Sequence, residues 1–523
     1  MSLDVIIISS ILEDNMVGKE KLLLTINGKT RDIVDVVNLL IPDNKPKIDR
    51  IGKSLVGIYL KDYLRRKDIT SDVINVFDFE KEKLKNLIQE NPDVVVAIST
   101  SLVLNFQTIK RAVDYIKSIN QDVVIILGGQ LIFNMFSPLS PEEQVKCKDI
   151  LKKHNLHTKI DFIISNEEGE MTLLDIVHNL KNDMPTDKIP NVACKENKFS
   201  FNPYEGENNN FENYVIKWNE IDEELVGSFI HLMTSKGCPF KCKFCTFWKL
   251  GGRRLKYKNL KAIEGELDSL SDLSDLCSVR FVDDTFTLPV KRFQEICKLI
   301  IKGGHSWNWS CYARATSINE ESAMLMKQAG CDSVFIGLES GSDKMLKLMG
   351  KEITVDDSKR AIEILRKNDI FTYGYLICGY PGETEETIKE TIDFLNTSGL
   401  DAFELYRFFC HPLMTVYEER SINGLKGGMF DWSHNTMDSD GALEGIMRII
   451  DETINSTYTY GGMDTLRPLF GNGFARQDIL NVSNNINLIK KNVNNSDIRI
   501  DDNNVYFNNI KDIINKIFEI CGT

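Results

Sequence analysis

The sequence predicts an α/β chain with two successive strand–helix series and a small, mostly helical tail. Three observations predict it. Short β-branched runs alternate with amphipathic stretches over residues 1–205, the alternation resumes over 230–411, and it weakens after His411-Pro412. Such alternation implies parallel sheets with helices on both faces. The composition is that of a globular chain: 523 residues, 42% hydrophobic and 27% charged, long enough for about two to four domains. A formal net charge of −13 argues against non-specific binding to nucleic acid or to an anionic membrane. No apolar run reaches transmembrane length. MSLDVIIISSILEDN lacks the basic end and cleavage site of a signal peptide and reads as a first buried strand, so the expected location is the cytoplasm.

In the first series, DVIIISS (4–10), SDVINVFDF (71–79), DVVVAISTS (93–101), DVVIILGGQ (122–130) and DFIISNEEGE (161–170) read as strands. SLVGIYLKDYLRR (54–66), KEKLKNLIQE (81–90) and NFQTIKRAVDYIKSI (105–119) have helical spacing. Ligands of such sheets sit beyond the carboxyl ends of the strands. Those ends carry Ser99, Thr100 and Ser101, then Gly128, Gly129 and Gln130, small residues that admit a large ligand. The two glycines also fit a plain turn. No GxGxxG opens the first helix, which argues against a dinucleotide.

In the second series the strands are IHLMTSKGC (230–238), SVRFVDDTF (278–286), WNWSCYARA (307–315), SVFIGLES (333–340), FTYGYLICG (371–379) and AFELYRFF (402–409), with helices between. Six such units fit a partial (β/α)6 TIM-type barrel, whose chemistry collects at the carboxyl ends of the strands. The cysteines of CPFKCKFC (238–245) follow the first strand, Asp283 and Asp284 the second, Arg314 the third, Glu339 and Ser340 the fourth, and Gly379 the fifth. One such placement is weak; five at one face are consistent.

Twelve cysteines are present. Nine are scattered and read as small buried hydrophobes of a reducing compartment. The other three, Cys238, Cys242 and Cys245, are spaced C-x3-C-x2-C. Structural zinc needs a fourth ligand; Cys277 lies beyond a helix and His231 lies within the first strand. A 4Fe–4S cluster on three thiolates instead leaves one iron open to a small ligand.

That spacing after a first barrel strand, with Phe244 before the last cysteine, closely resembles the radical S-adenosylmethionine (SAM) superfamily. The resemblance implies that the open iron chelates SAM, whose reductive cleavage gives a 5′-deoxyadenosyl radical. It implies that Asp283 or Asp284 accepts from the SAM ammonium, that Arg314 meets its carboxylate, that Glu339, with Ser340, supplies a polar contact, and that backbone near Gly379 and Tyr380 meets adenine. Asp283, Arg314 and Glu339 also fit a buried ion-pair network, and Gly379, Pro381 and Gly382 a tight turn. Pro42, RIGKSLVGIYLKDYLRR, DVVVAISTS, VVIILGGQ and NEEGEMTLLDI resemble, in order, the Rossmann-like cobalamin-binding domain in front of many such enzymes. There Ser99, Thr100, Ser101, Gly128, Gly129 and Gln130 would contact cobalamin. The DxHxxG histidine under cobalt is missing: no histidine precedes His154. A cobalt without a strong lower ligand suits methyl transfer.

The expectation is therefore three domains: cobalamin-binding (1–205), radical SAM partial barrel (206–425) and a C-terminal substrate or lid domain (426–523), in which Trp432 and His434 either face substrate or simply pack. The implied activity is methyl transfer from methylcobalamin to an unactivated carbon of a small-molecule or peptide natural product. The alternatives are radical rearrangement or cyclisation, P-methylation, or a non-catalytic sensor. The implied partners are substrate and an electron donor such as flavodoxin or ferredoxin, with no nucleic acid and no membrane.

Overall fold

The computed structural model describes residues 2–12, 24–26, 29–31, 33–45, 47–48, 54–103, 105–136, 141–196, 198–207, 210–250, 255–459, 469, 472–492 and 504–521. Residues 50–53 of the stretch compared above with cobalamin-binding domains, and 493–503 of the asparagine-rich tail, lie outside them. Contacts divide the chain into two compact units. One comprises Met1–Asn15 with Lys53–Val226, the other Met16–Gly52 with Gly227–Thr523. Among the described residues no helix is long and apolar enough to cross a membrane.

The first unit is a six-stranded sheet: β1 (Val5–Ile8), β2 (Ser71–Ile74), β3 (Val95–Ser99), β4 (Val124–Gly128), β5 (Phe162–Ile164) and β6 (Val192–Cys194). Its order is β2-β1-β3-β4-β5-β6, parallel except for β6. β1 lies between β2 and β3 (Val5 opposite Ser71 and Val95), so strand order reverses there. In sheets of this order ligands enter at that reversal. α1 (Leu55–Arg65), α2 (Lys81–Glu90) and α3 (Phe106–Ile119) fill the predicted helical stretches, and Asn105 caps α3 by accepting from Thr108 N. The strands are shorter than their apolar runs. Asn75, just past β2, instead accepts from Ser54 N through its side chain.

The second unit holds a seven-stranded parallel sheet in strict chain order. It runs β7 (Phe229–Leu232), β8 (Ser278–Phe281), β9 (Asn308–Ala313), β10 (Cys331–Glu339), β11 (Phe371–Cys378), β12 (Ala402–Arg407) and β13 (Thr457–Tyr458). Sequence reading found six of these; the seventh has only two residues, too few to show a period. The helices between are α4 (Leu260–Leu270), α5 (Val290–Gly303), α6 (Glu320–Gln328), α7 (Val355–Lys367), α8 (Glu385–Thr397) and α9 (Ser439–Glu452). Five begin on a side-chain cap: Asn259, Asn319, Thr354, Thr384 and Asp438. Each cap satisfies an amide that the helix itself leaves open. Strand residues alternate between layers: Val279, Phe281, Trp309 and Cys311 are buried in the core, with Phe281 and Phe286 stacked on each other and both meeting Trp309 edge-on. The helix Ile33–Leu40 packs against the two C-terminal helices Arg476–Asn492 and Val505–Cys521.

The β7 segment departs from expectation. It does not run straight into the cysteines. It leaves the sheet at Leu232, and Ser235–Lys236 pairs antiparallel with Lys256–Tyr257.

Thr354 and Asp357 form a reciprocal capping box at the start of α7. Thr354→Ala is expected to lower unfolding stability by about 1 kcal/mol, read by denaturant titration.

Candidate functional site

The detour of the chain before the cysteines has a local cause. Asp283, fully buried at the end of β8, accepts from Thr234 N (2.6 Å), Ser235 N (2.6 Å) and Thr234 Oγ1 (2.7 Å). Arg292 donates to Thr234 O (2.8 Å) and Lys258 O (3.2 Å). Burial pushes the Asp283 carboxyl up to about 6, against the pull of its three donors and of Arg292. The neighbouring Asp284 is exposed, and its Oδ2 accepts from Gly237 N at 2.7 Å. Gly237 has φ +100°, which glycine adopts without strain. The two aspartates thus have different duties. Asp283 anchors the strand end, and Asp284 touches the cysteine loop.

Cys242 is buried, while Cys238 and Cys245 are partly exposed. Lys243 N donates to Met349 O (2.9 Å), Val416 N donates to Lys243 O (3.2 Å), and Cys245 N donates to Cys242 O (3.1 Å). Phe244 packs with Met345, Met349, Tyr380 and Phe408. Burial pushes the Cys245 thiol up to about 11, and Cys242, Cys238 and Asp284 add to that. Burial also raises Cys242, opposed by Lys351 and Arg314. Among the described residues no three His, Cys, Asp or Glu side chains gather tightly enough to ligate a single ion. Three thiolates that each bind a different iron of one cluster stand farther apart than the ligands of one ion. Of the scattered cysteines, Cys147, Cys194, Cys297, Cys311, Cys331, Cys378 and Cys410 are buried; Cys277 is exposed and bonds to Asp275 O.

Arg314 follows β9 and is 6% exposed. Its guanidinium lies flat over Phe240, 3.6 Å from the ring centroid, a cation–π contact. Its Nε and Nη2 are buried and have no hydrogen-bond partner. Those two N–H groups form one side of the guanidinium fork, which fits a carboxylate bidentately. A buried donor pair left open this way is costly unless a ligand fills it.

At the end of β10 the backbone of Glu339 is left-handed, φ +64°, and the pairing with β11 slips between Gly337 and Glu339. Strain of this kind costs about 1–3 kcal/mol and persists where surrounding structure enforces it. Lys351 Nζ bonds Glu339 Oε1 at 2.6 Å. Ser340 is directed elsewhere: its hydroxyl lies 3.3 Å from Thr391 Oγ1 and accepts from Ser342 N (3.2 Å). Gly379 has φ +90°. Its N donates to Glu383 Oε2 (3.4 Å), its O meets His434 Nε2 (3.0 Å), and Tyr380 O accepts from Glu383 N (2.9 Å). Trp432 donates from Nε1 to Phe408 O (2.8 Å) and stacks on His434, 5.2 Å between centroids. Trp432 and His434 both have packing partners.

In the first unit Thr100 N and Oγ1 both donate to Gly128 O (2.7 and 2.9 Å), and Ser99 Oγ lies 3.2 Å from Ser101 Oγ. A Cβ on Gly129 (φ +105°) would stand 2.8 Å from Thr100 N. Gln130 bonds Asn134 one turn on, in the short helix Gln130–Phe136. The structure brings all six predicted residues to adjoining ends of β3 and β4. His154 stacks on Phe106 at 5.6 Å.

Sequence reasoning missed Phe240, Lys351 and Glu383. Phe240 lies inside the cysteine motif, which was a signal. Lys351 ends the segment GLESGSDKMLKLMGK (337–351) that begins at the fourth strand, which was a signal, but its partner Glu339 is reached only through a turn.

Residues 232–395 match the Radical SAM superfamily. An uncharacterized methyltransferase of Pyrococcus horikoshii is 27% identical over 400 residues, 74% of this chain and 83% of that one. The anaerobic magnesium-protoporphyrin IX monomethyl ester cyclase of Rubrivivax gelatinosus is 28% identical over 382 residues, 69% of this chain and 65% of that one. In structure the chain is similar to the radical S-adenosylmethionine methyltransferase TsrM from Kitasatospora setae, solved with cobalamin and a [4Fe-4S] cluster bound. The TM-score is 0.65 at 16% identity, covering 93% of this chain and 100% of that one.

Burial pushes the Glu383 carboxyl up to about 7 from 4.5, with Thr387 and Gly379 N pulling the other way. Its folded pKa is raised, so its contribution to stability is full below 4.5 and is lost as pH rises through 7. Between pH 5 and pH 8 the melting temperature should therefore fall more for the unaltered chain than for Glu383→Gln. Equal slopes would contradict this.

Proposed function

We propose that the chain is a cobalamin-binding radical SAM enzyme, a reading supported by its radical SAM match and by its similarity to cobalamin-dependent relatives, and that it transfers a methyl group from cobalamin to an unactivated carbon of a small-molecule or peptide natural product. When bound, the cluster and SAM supply the radical and cobalamin supplies the methyl group. The chain's own residues hold these groups, cobalamin on the first unit and the cluster and SAM on the second.

The observation that carries the reading is the open Nε–Nη2 edge of buried Arg314 beside Cys242. It is a preformed seat for one carboxylate, and SAM bears one. Cys238, Cys242 and Cys245 hold the cluster. Asp284 is the better placed acceptor for the SAM ammonium, since Asp283 already takes three donors. Glu339 and the backbone near Gly379 and Tyr380 line the rest of the SAM site, with Phe244 beside them and Ser340 shaping the turn. Ser99, Thr100, Ser101, Gly128, Gly129 and Gln130 form the cobalamin edge. Residues 426–523 form the substrate-setting region. Substrate and a flavodoxin- or ferredoxin-type donor are the partners, and the cytoplasm is the setting. A second reading, radical cyclisation, is favoured by the 28% identity to the cyclase.

Cys245→Ala should lose both bound iron and 5′-deoxyadenosine formation in anaerobically reconstituted protein; survival of that product would overturn the reading. Arg314→Lys keeps the charge but not the fork. It should weaken SAM binding by about 1.5–3 kcal/mol, on the order of tenfold to a hundredfold. Gly129→Val should deplete bound cobalamin, measured by its absorbance, while iron content stays unchanged.

A further inference from the structure

We infer that Lys351 is a positioning residue: its ammonium fixes the Glu339 carboxylate beside the cysteine loop, and through Glu339 it sets how tightly SAM is held. The inference rests on the proposed function, in which Glu339 meets SAM.

The pair is built with some care. Both side chains are one-tenth exposed, with Nζ and Oε1 2.6 Å apart. They lie over bare backbone. A Cβ on Gly337 would come within 2.7 Å of Glu339 Oε1 and 2.9 Å of Lys351 Nζ, so a larger residue there would make the pair shift. The backbone of Glu339 is left-handed, φ +64°, in a region where a non-glycine residue must be held. The ion pair takes Oε1.

Lys351 is itself tied to the cysteine loop. Its own N donates to Leu346 O (3.0 Å), closing a turn through Met349 and Gly350. Met349 O accepts from Lys243 N, midway between Cys242 and Cys245. Lys351 Nζ stands 5.8 Å from the centre of the Phe244 ring. One turn therefore fixes the cysteine loop by its carbonyl and the strained strand end by its ammonium. Burying two charges costs more than burying apolar groups of the same volume. A pair kept at this junction has the geometry of a support for a ligand contact.

The test is a double-mutant cycle of Lys351→Met and Glu339→Gln in anaerobically reconstituted full chain. Three quantities are read: iron per chain, melting temperature, and the dissociation constant for labelled SAM by equilibrium dialysis. Lys351→Met should keep its iron and weaken SAM binding at least tenfold. Added to Glu339→Gln, which no longer carries the carboxylate that Lys351 positions, it should change SAM binding less than threefold, because the two act as one. SAM binding within threefold of the unaltered chain in Lys351→Met would overturn the inference. So would losses that multiply in the double variant. Should Lys351→Met lose its iron, Lys351→Gln, which keeps an N–H donor for Glu339, is held to the same threefold limit. An unaltered chain that holds its iron but binds no SAM would overturn the proposed function, and this inference with it.

Discussion

A guanidinium buried against an aromatic ring, with two N–H groups open along one edge, has to be answered by an anion. Arg314 is in that state, and much of the second unit's carboxyl face serves to keep it so. Phe240 packs against the group, and the open Nε–Nη2 edge is the place where the charge can be met. Phe240 also belongs to the cysteine motif. The three cysteines and Phe240 thus lie on one loop, against which Arg314 packs.

The loop in turn depends on the strand ends around it. Asp283 draws Thr234 and Ser235 away from the sheet, which turns the chain toward the mouth. Met349 and Val416 bind Lys243 from two other segments. Such buried, mutually bonded supports give positional precision, which is what radical chemistry requires of its scaffold. The strain at Glu339 belongs with them: backbone is held in a sparsely populated region where the site, rather than the fold, requires it.

Much of this was legible in the sequence. Alternating runs gave both parallel sheets, because a buried parallel strand leaves a nearly continuous apolar stretch. The three cysteines stood out by type and spacing and Arg314 by its place at a strand end, while the roles expected of them came from the family resemblance. The remainder lies in tertiary contacts that leave no local trace. Asp283 and Asp284 are adjacent, so their spacing alone could not say which is buried. Trp432 and His434 had substrate contact and packing left open between them, and their partners, Phe408 O and Gly379 O, are backbone atoms that no side-chain pattern reveals. β13 is too short to have a period. The grouping of residues 16–52 with the second unit comes from the packing of Ile33–Leu40 on helices more than four hundred residues later in the chain.

The most direct measurement is electron–nuclear double resonance on the reduced, iron-loaded chain with SAM labelled in its amino nitrogen and carboxylate oxygens. The account predicts hyperfine coupling from both labels to the cluster spin, with the carboxylate coupling altered in Arg314→Lys. A reduced cluster that shows no coupling to either label, in protein that binds SAM, would contradict it.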